Sequence, residues 1–250
     1  MAGAIVIIPA RYASVRFPGK VLADATGSPM IQHVWERAVK APSVQRVLIA
    51  TDDERVMEAC DRFGAEAVMT SPEHANGTSR VAEAALGLQA DIIVNVQGDE
   101  PEISPGVIET VIQALAEDPK ASVSTAAAPI DRDEDPDDHN IVKVVRDLDG
   151  RALYFSRAAI PGSRPDHDGT VGHLKHLGLY GFRPEFLQQF VQMEPTPLEQ
   201  HEQLEQLRVM EHGHRITVAV VQAAHAGIDT EAEYESFVQR HGQSSQDSGC

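Results

Sequence analysis

AIVIIPARYASVRFPGK, residues 4–20, is the stretch that decides the architecture of the chain. Its first five residues, Ala4–Ile8, are apolar and mostly β-branched, which predicts a buried strand. Pro9, Pro18 and Gly19 exclude an ordinary helix over the residues that follow. The stretch therefore predicts a strand that leads into a shaped loop, and this loop carries three cations, Arg11, Arg16 and Lys20.

The charge of the chain makes these three cations informative. The protein has 250 residues, a formal net charge of −17 at pH 7 and only 21 basic residues. A nucleic-acid duplex requires a basic face that neutralises phosphates, so we expect no nucleic-acid partner. A nucleotide pocket needs only a few local cations. The loop cations are therefore either scattered surface charges or a binding site for an anion.

Composition indicates an ordinary globular protein, with 42% hydrophobic and 24% charged residues. No apolar run reaches the roughly 18–20 residues that span a bilayer, so we expect no membrane partner. The N-terminus has no basic region before its apolar run and is more typical of a first strand than of a signal peptide. The two cysteines, Cys60 and Cys250, indicate neither a disulfide framework nor a zinc site. A cytoplasmic location is the expectation.

The first half alternates strand-like and helix-like segments. RVLIATDD (46–53) and DIIVNVQGDEP (91–101) both read as a strand followed by an acidic turn, and helical segments separate them. Thr78 or Ser79 is predicted to cap the helix that begins with RVAEAALGL. Alternation of this kind predicts an α/β fold with a mostly parallel sheet covered by helices.

The second half is predicted to contain more hairpin-like structure. Strands are expected at 122–129 and 173–183, with a hairpin turn at Asp149–Gly150 between them. Helices are expected at 184–191 and 198–213, before a last strand at 215–221. We predict one domain over residues 1–250, with an inserted element at roughly 125–212 that supplies a dimer surface. The tail, roughly 241–250, is predicted to be frayed.

Polar residues follow each predicted strand of the parallel sheet, where ligands of α/β proteins bind. Cations and carboxylates occur together there, a combination that suits a polyphosphate with Mg²⁺. The loop is not a P-loop, because Ser14 stands where the first glycine is required and Val21 follows Lys20. The segments concerned are residues 11–20, Asp52–Asp53, His74–Arg80, Gln97–Glu100 and Gly227–Thr230.

Several of these residues also have an ordinary structural interpretation. Asp52–Asp53 and Asp229–Thr230 each precede a predicted helix, so they could be helix caps rather than ligands. His176 could be a half-buried histidine of a strand. The sequence leaves these alternatives open.

Eight motifs in register carry a resemblance to a known family. Their order and spacing over residues 4 to about 237 resemble the sugar-acid cytidylyltransferases, in particular the 3-deoxy-manno-octulosonate cytidylyltransferase (CMP-Kdo synthetase) family. The motifs are IPARYASVRFPGKVL (8–22), ATDDERV (50–56), HANGTSR (74–80), VNVQGDEP (94–101), ALYFSRAAIP (152–161), KHLGLYGFR (175–183), LEQLRVMEHG (204–213) and GIDT (227–230).

The resemblance implies a Rossmann-like nucleotidyltransferase fold, Mg²⁺ as cofactor and a homodimer. It also implies CTP and a 3-deoxy-ulosonic acid as substrates, in a step of lipopolysaccharide biosynthesis. Lys20, Arg16 and Asp99 are then expected to be catalytic, and Asp99 and Asp229 to hold the metal. The nucleotide is expected to contact Arg11, Arg16, Lys20, His74, Asn76, Gly77, Thr78, Arg80 and Gln97. The sugar acid is expected to contact Arg157, His176, Tyr180, Glu205 and Gln206.

One motif departs from the family pattern. The family usually has Ser-Gly-Thr followed by an acidic residue and Arg, whereas this chain has Asn76-Gly77-Thr78-Ser79-Arg80. This departure leaves two alternatives open: a related acid such as 8-amino-Kdo or a sialic-type acid as substrate, or a nucleotide-binding relative without catalytic activity. A glycosyltransferase is less favoured, because no D-x-D motif follows the fourth predicted strand.

Overall fold

A computed structural model of the chain describes residues 3–13, 16–132, 134–162, 171–222 and 227–247. The strands and helices lie in two compact units. The N-terminal unit comprises Ile5–Gln89, Asn95–Pro105 and His225–Cys250. The central unit comprises Met1–Ala4, Ala90–Val94 and Gly106–Ala224. Our expectation of one domain with an insertion at 125–212 stays a prediction.

The N-terminal unit contains three strands in the order β3-β2-β1. They are β1 (Ala4–Ala10), β2 (Val44–Thr51) and β3 (Glu66–Met69), and β2 and β3 are parallel. The unit also contains a 3₁₀ turn at Lys20–Leu22 and four helices, α1 (Met30–Ala38), α2 (Glu54–Phe63), α3 (Gly77–Ala84) and α8 (Glu231–Asp247). β1 is almost completely buried, as its apolar sequence predicts.

The polar residues at the ends of helices α2 and α3 explain where these helices begin. Asp53 caps α2, since its carboxylate accepts a hydrogen bond from the backbone N–H of Arg55. Asn76 caps α3 in the same way, with its side chain accepting from the N–H of Ser79. Our prediction of Thr78 or Ser79 as the cap was therefore wrong, because the amide of Asn76 lies one turn earlier and reaches the free backbone donors.

The central unit carries the remaining strands, β4 (Ile92–Asn95), β5 (Val123–Pro129), β6 (Lys143–Arg146), β7 (Ala152–Ser156), β8 (Leu174–Phe182) and β9 (Ile216–Val220). Their order is β4-β8-β5-β9. β5 is parallel to β9 but antiparallel to β8. The hairpin β6–β7 turns at Gly150, as predicted, and β6 also pairs with β8. The predicted α/β fold with a mostly parallel sheet is confirmed.

The helices of this unit are α4 (Pro105–Glu117), α5 (Pro184–Phe190), α6 (Pro197–Glu202) and α7 (Gln206–Glu211). The single helix predicted over 198–213 was wrong, because Gln203 adopts a left-handed backbone conformation with φ of 55° and ends α6. An ion pair joins the two short helices, since Arg208 Nε donates to Glu199 Oε2 at 2.7 Å. This pair keeps α6 and α7 close despite the break.

Within the N-terminal unit, helix α8 packs against its neighbours through a small apolar cluster. Met30, Ile228, Tyr234 and Phe237 form this cluster and are nearly inaccessible to solvent. The Tyr234 hydroxyl also accepts a hydrogen bond from the backbone N–H of Ala25 at 2.8 Å. The helix continues to Asp247, into the segment 241–250 predicted to be frayed, and residues 248–250 lie outside the described residues. No helix in the described part of the chain is both long and apolar enough to cross a bilayer.

Candidate nucleotide-binding site

The cationic loop after β1 is held in shape by its own backbone. The N–H of Gly19 donates to the carbonyl of Tyr12 at 3.0 Å, which closes the loop. Gly19 has a φ of 71°, a conformation that favours glycine. Ser14 and Val15 lie outside the described residues. The closed loop presents Lys20 at the start of the 3₁₀ turn.

Lys20 lies between the two predicted metal ligands. Its Nζ is 2.6 Å from Asp99 Oδ2 and 3.1 Å from Asp229 Oδ1, and it also donates to the backbone carbonyl of Ile228 at 3.0 Å. Burial alone lowers the pKa of Lys20, but the charges and hydrogen bonds of the two carboxylates outweigh burial, so its pKa is raised. Lys20 is therefore a fixed positive charge held against two carboxylates.

Arg16 reaches the same acidic pair from the solvent side. Its Nη2 is 2.8 Å from Asp229 Oδ2, and its side chain is 66% exposed. Lys20 is only 12% exposed. Because exposed ion pairs contribute little to stability, Arg16 can leave Asp229 for another anion at small cost. The site therefore combines one sequestered cation with one that is free to change partner.

Arg11 contacts the segment that precedes α3. Its guanidinium donates to the backbone carbonyl of His74, and the His74 ring is hydrogen-bonded to Glu83 of α3. The hydrogen bond from His74 and one from the N–H of Ser71 lower the pKa of Glu83, so this carboxylate is a fixed anion. His74 therefore acts here through its backbone and through its contact with α3.

Two close approaches of the backbone shape the floor of the site. A Cβ on Gly98 would lie 2.8 Å from the carbonyl oxygen of Pro9, so only glycine fits at this position. A Cβ on Gly77 would lie 3.2 Å from the ring of Pro9. The first turn of α3, capped by Asn76, thus comes close to the end of β1.

These residues line one cleft of about 400 Å³ within the N-terminal unit. Seven of the predicted nucleotide-binding or catalytic residues belong to its lining, together with the predicted metal ligand Asp229. The complete lining is Pro9, Arg11, Ala13, Arg16, Lys20, Val21, Asn76, Gly77, Gln97, Gly98, Asp99 and Asp229.

Sequence reasoning missed four lining residues, Pro9, Ala13, Val21 and Gly98. Gly98 could have been found, since a glycine directly before a strand-end carboxylate indicates a close backbone approach. The other three are small or apolar and carry no chemical signal.

Three predicted nucleotide-binding residues, His74, Thr78 and Arg80, do not line the cleft. Arg80 is completely buried, with its guanidinium 2.8 Å from Asp52 and 2.5 Å from the hydroxyl of Thr70. This ion pair gives both Asp52 and Arg80 a structural role. It also answers the question about the Asp52–Asp53 pair: Asp53 is a helix cap and Asp52 neutralises Arg80.

Asp99 and Asp229 fit a Mg²⁺ ion that takes most of its ligands from the enzyme's substrate and from water. No group of three or more His, Cys, Asp or Glu side chains suited to a metal occurs among the described residues. Mg²⁺ commonly takes one or two carboxylates and completes its shell with water and phosphate oxygens. Asp99 and Asp229 already converge on one cation, the Lys20 ammonium, so their oxygens can share a cation.

A third acid, Glu100, lies next to this pair. Burial, and to a smaller extent the charge of Asp99, raises its pKa to about 8. Glu100 is therefore neutral at pH 7, which limits the negative charge that the site carries. The sequence motif QGDEP gave no reason to separate Glu100 from Asp99.

The predicted sugar-binding residues belong to the central unit. Arg157 donates from Nε to the carbonyl of Glu202 at 2.8 Å and from Nη1 to the carbonyl of His139 at 2.8 Å. The carboxylate of Glu202 accepts from the backbone N–H of Arg157 at 2.9 Å and from the Ser156 hydroxyl at 2.7 Å. Arg157 therefore connects three backbone segments, and Glu202, which the sequence analysis did not single out, is its main partner.

His176 of β8 is held inside a group of aromatic rings. Its ring centre lies 5.0 Å from that of Phe155 and 5.4 Å from that of Tyr180. Burial lowers the pKa of His176 to about 3, so the ring is neutral at pH 7. The Thr125 hydroxyl lies 2.8 Å from the carbonyl of Leu179 and 2.9 Å from His176 Nε2, so a hydrogen bond joins Thr125 to the ring.

Glu205 and Gln206 lie at the start of α7. Glu205 is the residue that precedes the helix and makes no side-chain cap. Gln206 is only 5% exposed, and its side-chain Nε2 has no hydrogen-bond partner among the described residues. A buried donor without a partner is costly. It is therefore a candidate contact for a polar ligand.

Comparison with known proteins is consistent with this geometry. A family model described as cytidylyltransferase matches residues 5–216. A 3-deoxy-manno-octulosonate cytidylyltransferase of Chromohalobacter salexigens is 52% identical over 93% of this chain and 94% of the relative. A protein of the same name from Geotalea uraniireducens is 49% identical over 94% of this chain and 97% of the relative.

A solved structure agrees as well. The CMP:2-keto-3-deoxy-manno-octonic acid synthetase complexed with CTP has a TM-score of 0.92 and 42% identity, over 97% of this chain and all of that one. Identities of 42–52% over at least 93% of this chain are higher than common ancestry alone requires. The chain belongs to the 3-deoxy-manno-octulosonate cytidylyltransferase family.

Proposed function

We propose that this protein transfers CMP from CTP to the anomeric hydroxyl of 3-deoxy-manno-octulosonate (Kdo) and releases pyrophosphate. The observation that carries the proposal is the grouping around Lys20: two carboxylates at 2.6 and 3.1 Å, with Arg16 beside them in a cleft of about 400 Å³. Cations and paired carboxylates in one cleft suit a triphosphate and a divalent metal. The family and the CTP complex of its solved member support the same assignment.

In the proposed reaction, the oxygen of the sugar hydroxyl forms a bond to the α-phosphorus of CTP. The bond from that phosphorus to the bridging oxygen of the β-phosphate breaks, and the hydroxyl proton is released. Catalysis of such a step consists mainly of alignment and charge neutralisation. Lys20 and Arg16 would neutralise the charge that develops on the departing pyrophosphate. Arg11 would also bind the triphosphate.

Asp99 and Asp229 would hold Mg²⁺, which when bound neutralises phosphate charge and lowers the pKa of an attacking oxygen. Lys20, at 2.6 Å from Asp99 and 3.1 Å from Asp229, would balance part of the negative charge of these acids. The first turn of α3, capped by Asn76, would present backbone N–H groups to the nucleotide. Gln97 would contact the nucleotide from the same cleft.

The sugar acid would contact Arg157, His176, Tyr180, Glu205 and Gln206 of the central unit. The unpartnered Nε2 of Gln206 supports this assignment, since a hydroxyl of the sugar would satisfy it. Arg157 would either bind the sugar carboxylate or order the segment around His139 that encloses it.

The test is a pyrophosphate-release screen of four nucleoside triphosphates against Kdo, 8-amino-Kdo and a sialic acid, with and without Mg²⁺. We expect release only with CTP, Mg²⁺ and a 3-deoxy-ulosonic acid, and fastest with Kdo. Faster turnover of 8-amino-Kdo or a sialic acid would favour the first alternative. CTP binding without turnover on any acid would favour a non-catalytic relative.

The departure at Asn76–Arg80 does not favour another sugar acid. Asn76 caps α3, a task for which Ser and Asn are almost equally suited, so this replacement preserves the helix start. Ser79, which stands in place of the acidic residue, bonds within the same turn, since its hydroxyl donates to the carbonyl of Asn76 at 3.0 Å. The two replaced residues therefore both stabilise the start of α3.

We further propose that the protein works in the cytoplasm, as a homodimer, in lipopolysaccharide biosynthesis. Support for a partner surface comes from exposed apolar side chains of the central unit, Leu148, Leu153 and Val220. Light scattering on the purified protein should give twice the chain mass of 27.1 kDa. Replacement of Leu153 with Arg should shift it towards the monomer if β7 belongs to the dimer surface.

A further inference from the structure

The loop that carries Lys20 is in contact with a residue outside the cleft. The guanidinium carbon of Arg55 lies 3.4 Å from the centre of the Tyr12 ring, within the range of a cation–π interaction. Arg55 belongs to the first turn of α2, and Tyr12 belongs to the cationic loop. A regular helix is thus connected to a loop whose described residues between β1 and Lys20 form no helix or strand.

Arg55 is itself fixed at the start of its helix. Its Nε and Nη2 donate to the two carboxylate oxygens of Asp53 at 2.8 and 2.6 Å, and its backbone N–H donates to Asp53 at 3.0 Å. Paired hydrogen bonds of this kind define the plane of a guanidinium. Although the Arg55 side chain is 59% exposed, it is therefore held in one orientation over Tyr12.

The Tyr12 ring passes this restraint to the residue before Lys20. The carbonyl of Tyr12 accepts from the N–H of Gly19, and a Cβ on Gly19 would lie 3.1 Å from the ring Cζ and hydroxyl of Tyr12. The ring therefore lies directly against the turn. Lys20 follows that turn and reaches Asp99 and Asp229 from it.

We propose that Arg55 is a positioning residue that holds Tyr12 against Gly19 and so fixes the phosphate-binding loop before CTP arrives. The inference rests on the proposed function, since the loop is taken to bind the triphosphate. Ordering the loop in advance removes an entropy cost that binding would otherwise carry. The residue acts through Tyr12 and does not itself touch the nucleotide.

Two observations separate this role from direct phosphate binding. Arg55 does not belong to the lining of the cleft. Two of its nitrogens already donate to Asp53, whose negative charge offsets that of the guanidinium. A direct attraction to the triphosphate is weakened by this neutralisation, whereas the contact with Tyr12 is not.

The test is a double-mutant cycle on CTP affinity, measured by isothermal titration calorimetry with the full chain. Arg55→Ala and Tyr12→Leu should each weaken CTP binding by about two- to fivefold, the range of an exposed cation–π contact. The double variant should bind CTP no more weakly than Tyr12→Leu alone, because both changes remove the same contact. Tyr12→Phe, which keeps the ring, should bind like the wild type.

Arg62→Ala is the matched control, since it removes an exposed arginine from the same helix. Control and test variants should have the wild-type melting temperature, and the KM for the sugar acid should not change. Additive losses in the double variant would overturn the proposal and favour a direct contact between Arg55 and phosphate. Unchanged CTP affinity in Arg55→Ala would also overturn it. Failure of the proposed function is a separate result, seen as no pyrophosphate release by the wild type.

Discussion

The two units of this protein use their charged side chains in different ways. In the cleft of the N-terminal unit, Lys20 and Arg16 contact the carboxylates Asp99 and Asp229, and these charges can exchange partners when an anion and a cation bind. In the central unit, Arg157 donates to backbone carbonyls on two segments, and half-buried His176 is kept neutral.

The same residue types therefore have different roles in the two units. In the cleft, exposed or half-exposed charges paired with other side chains are available for chemistry, whereas Arg157, bonded to backbone carbonyls, defines the shape of the chain. We therefore expect substitutions in the cleft to change turnover with little change in stability. Substitutions in the central unit should change stability together with sugar-acid binding.

The sharpest test of the cleft is the replacement Asp99→Asn. It removes one of two carboxylates that contact Lys20 and that we assign to Mg²⁺. A metal ion contributes several kcal/mol to transition-state stabilisation, so kcat/KM should fall by about a thousandfold. The measurement is pyrophosphate release at saturating Mg²⁺, with the melting temperature recorded for the same samples.

Asp61→Asn is the control for Asp99→Asn, because Asp61 is an exposed aspartate on α2. It should retain wild-type activity. Near wild-type activity of Asp99→Asn would contradict the assignment of Asp99 to the metal and would remove the main distinction between the two units.

The second test replaces the cation at the centre of the cleft. Lys20→Met should lower kcat by about a hundredfold, the effect of losing one preorganised charge at a transition state. The same variant should bind Mn²⁺ more tightly than the wild type without nucleotide, because Asp99 and Asp229 lose their internal counter-ion. Electron paramagnetic resonance of free Mn²⁺ measures this affinity independently of turnover.

Lys40→Met, at an exposed lysine after α1, controls for the loss of one positive charge. It should leave both kcat and Mn²⁺ affinity unchanged. Weaker Mn²⁺ binding in Lys20→Met would mean that Lys20 organises the two carboxylates instead of competing with the metal for them.

The third test moves to the central unit. Arg157→Ala removes hydrogen bonds from a charged group to the carbonyls of His139 and Glu202. Such bonds contribute about 1.5–3 kcal/mol, so the melting temperature should fall by about 5 °C. The KM for the sugar acid should rise while the CTP affinity stays the same. Differential scanning calorimetry and steady-state kinetics measure the two effects.

Arg132→Ala, at an exposed arginine shortly after β5, is the matched control and should not change the melting temperature. If Arg157→Ala raised the KM for the sugar acid without lowering the melting temperature, Arg157 would be a ligand in the same sense as Lys20. The contrast between the units would then fail at this residue.

Sequence patterns could predict the parts of the molecule that local order determines. The apolar run of β1, the glycine and cations after it, and the carboxylate Asp99 at the end of an apolar strand all follow from short segments. Eight motifs in register then identified the family. The cleft contains most of the residues predicted for it because strand-end loops of a parallel sheet converge.

Contacts between distant residues could not be predicted in the same way. The pairing of Arg80 with Asp52 joins positions 28 residues apart, and it removes Arg80 from the cleft. The left-handed conformation of Gln203, which divides a predicted helix, is unusual for a residue other than glycine. The bonds of Arg157 to backbone carbonyls depend on loops that only the folded chain brings together.

The last test concerns His176 and the pH dependence of stability. In the unfolded chain a histidine takes up a proton as the pH falls through about 6.5, whereas burial lowers the pKa of folded His176 to about 3. Between these values the unfolded state binds more protons, so the free energy of unfolding decreases as the pH falls. One such group contributes a slope of up to about 1.4 kcal/mol per pH unit.

His176→Gln should flatten this part of the stability curve, because glutamine does not titrate and can still form a hydrogen bond with Thr125. Urea unfolding at several values between pH 7 and pH 4 measures the slope for the wild type and the variant. His201→Gln, at an exposed histidine of α6, is the matched control and should leave the slope unchanged. Parallel curves for the wild type and His176→Gln would show that folded His176 takes up its proton over the same pH range as in the unfolded chain. The central unit would then also carry a charge available to a ligand, and the contrast with the cleft would be one of degree.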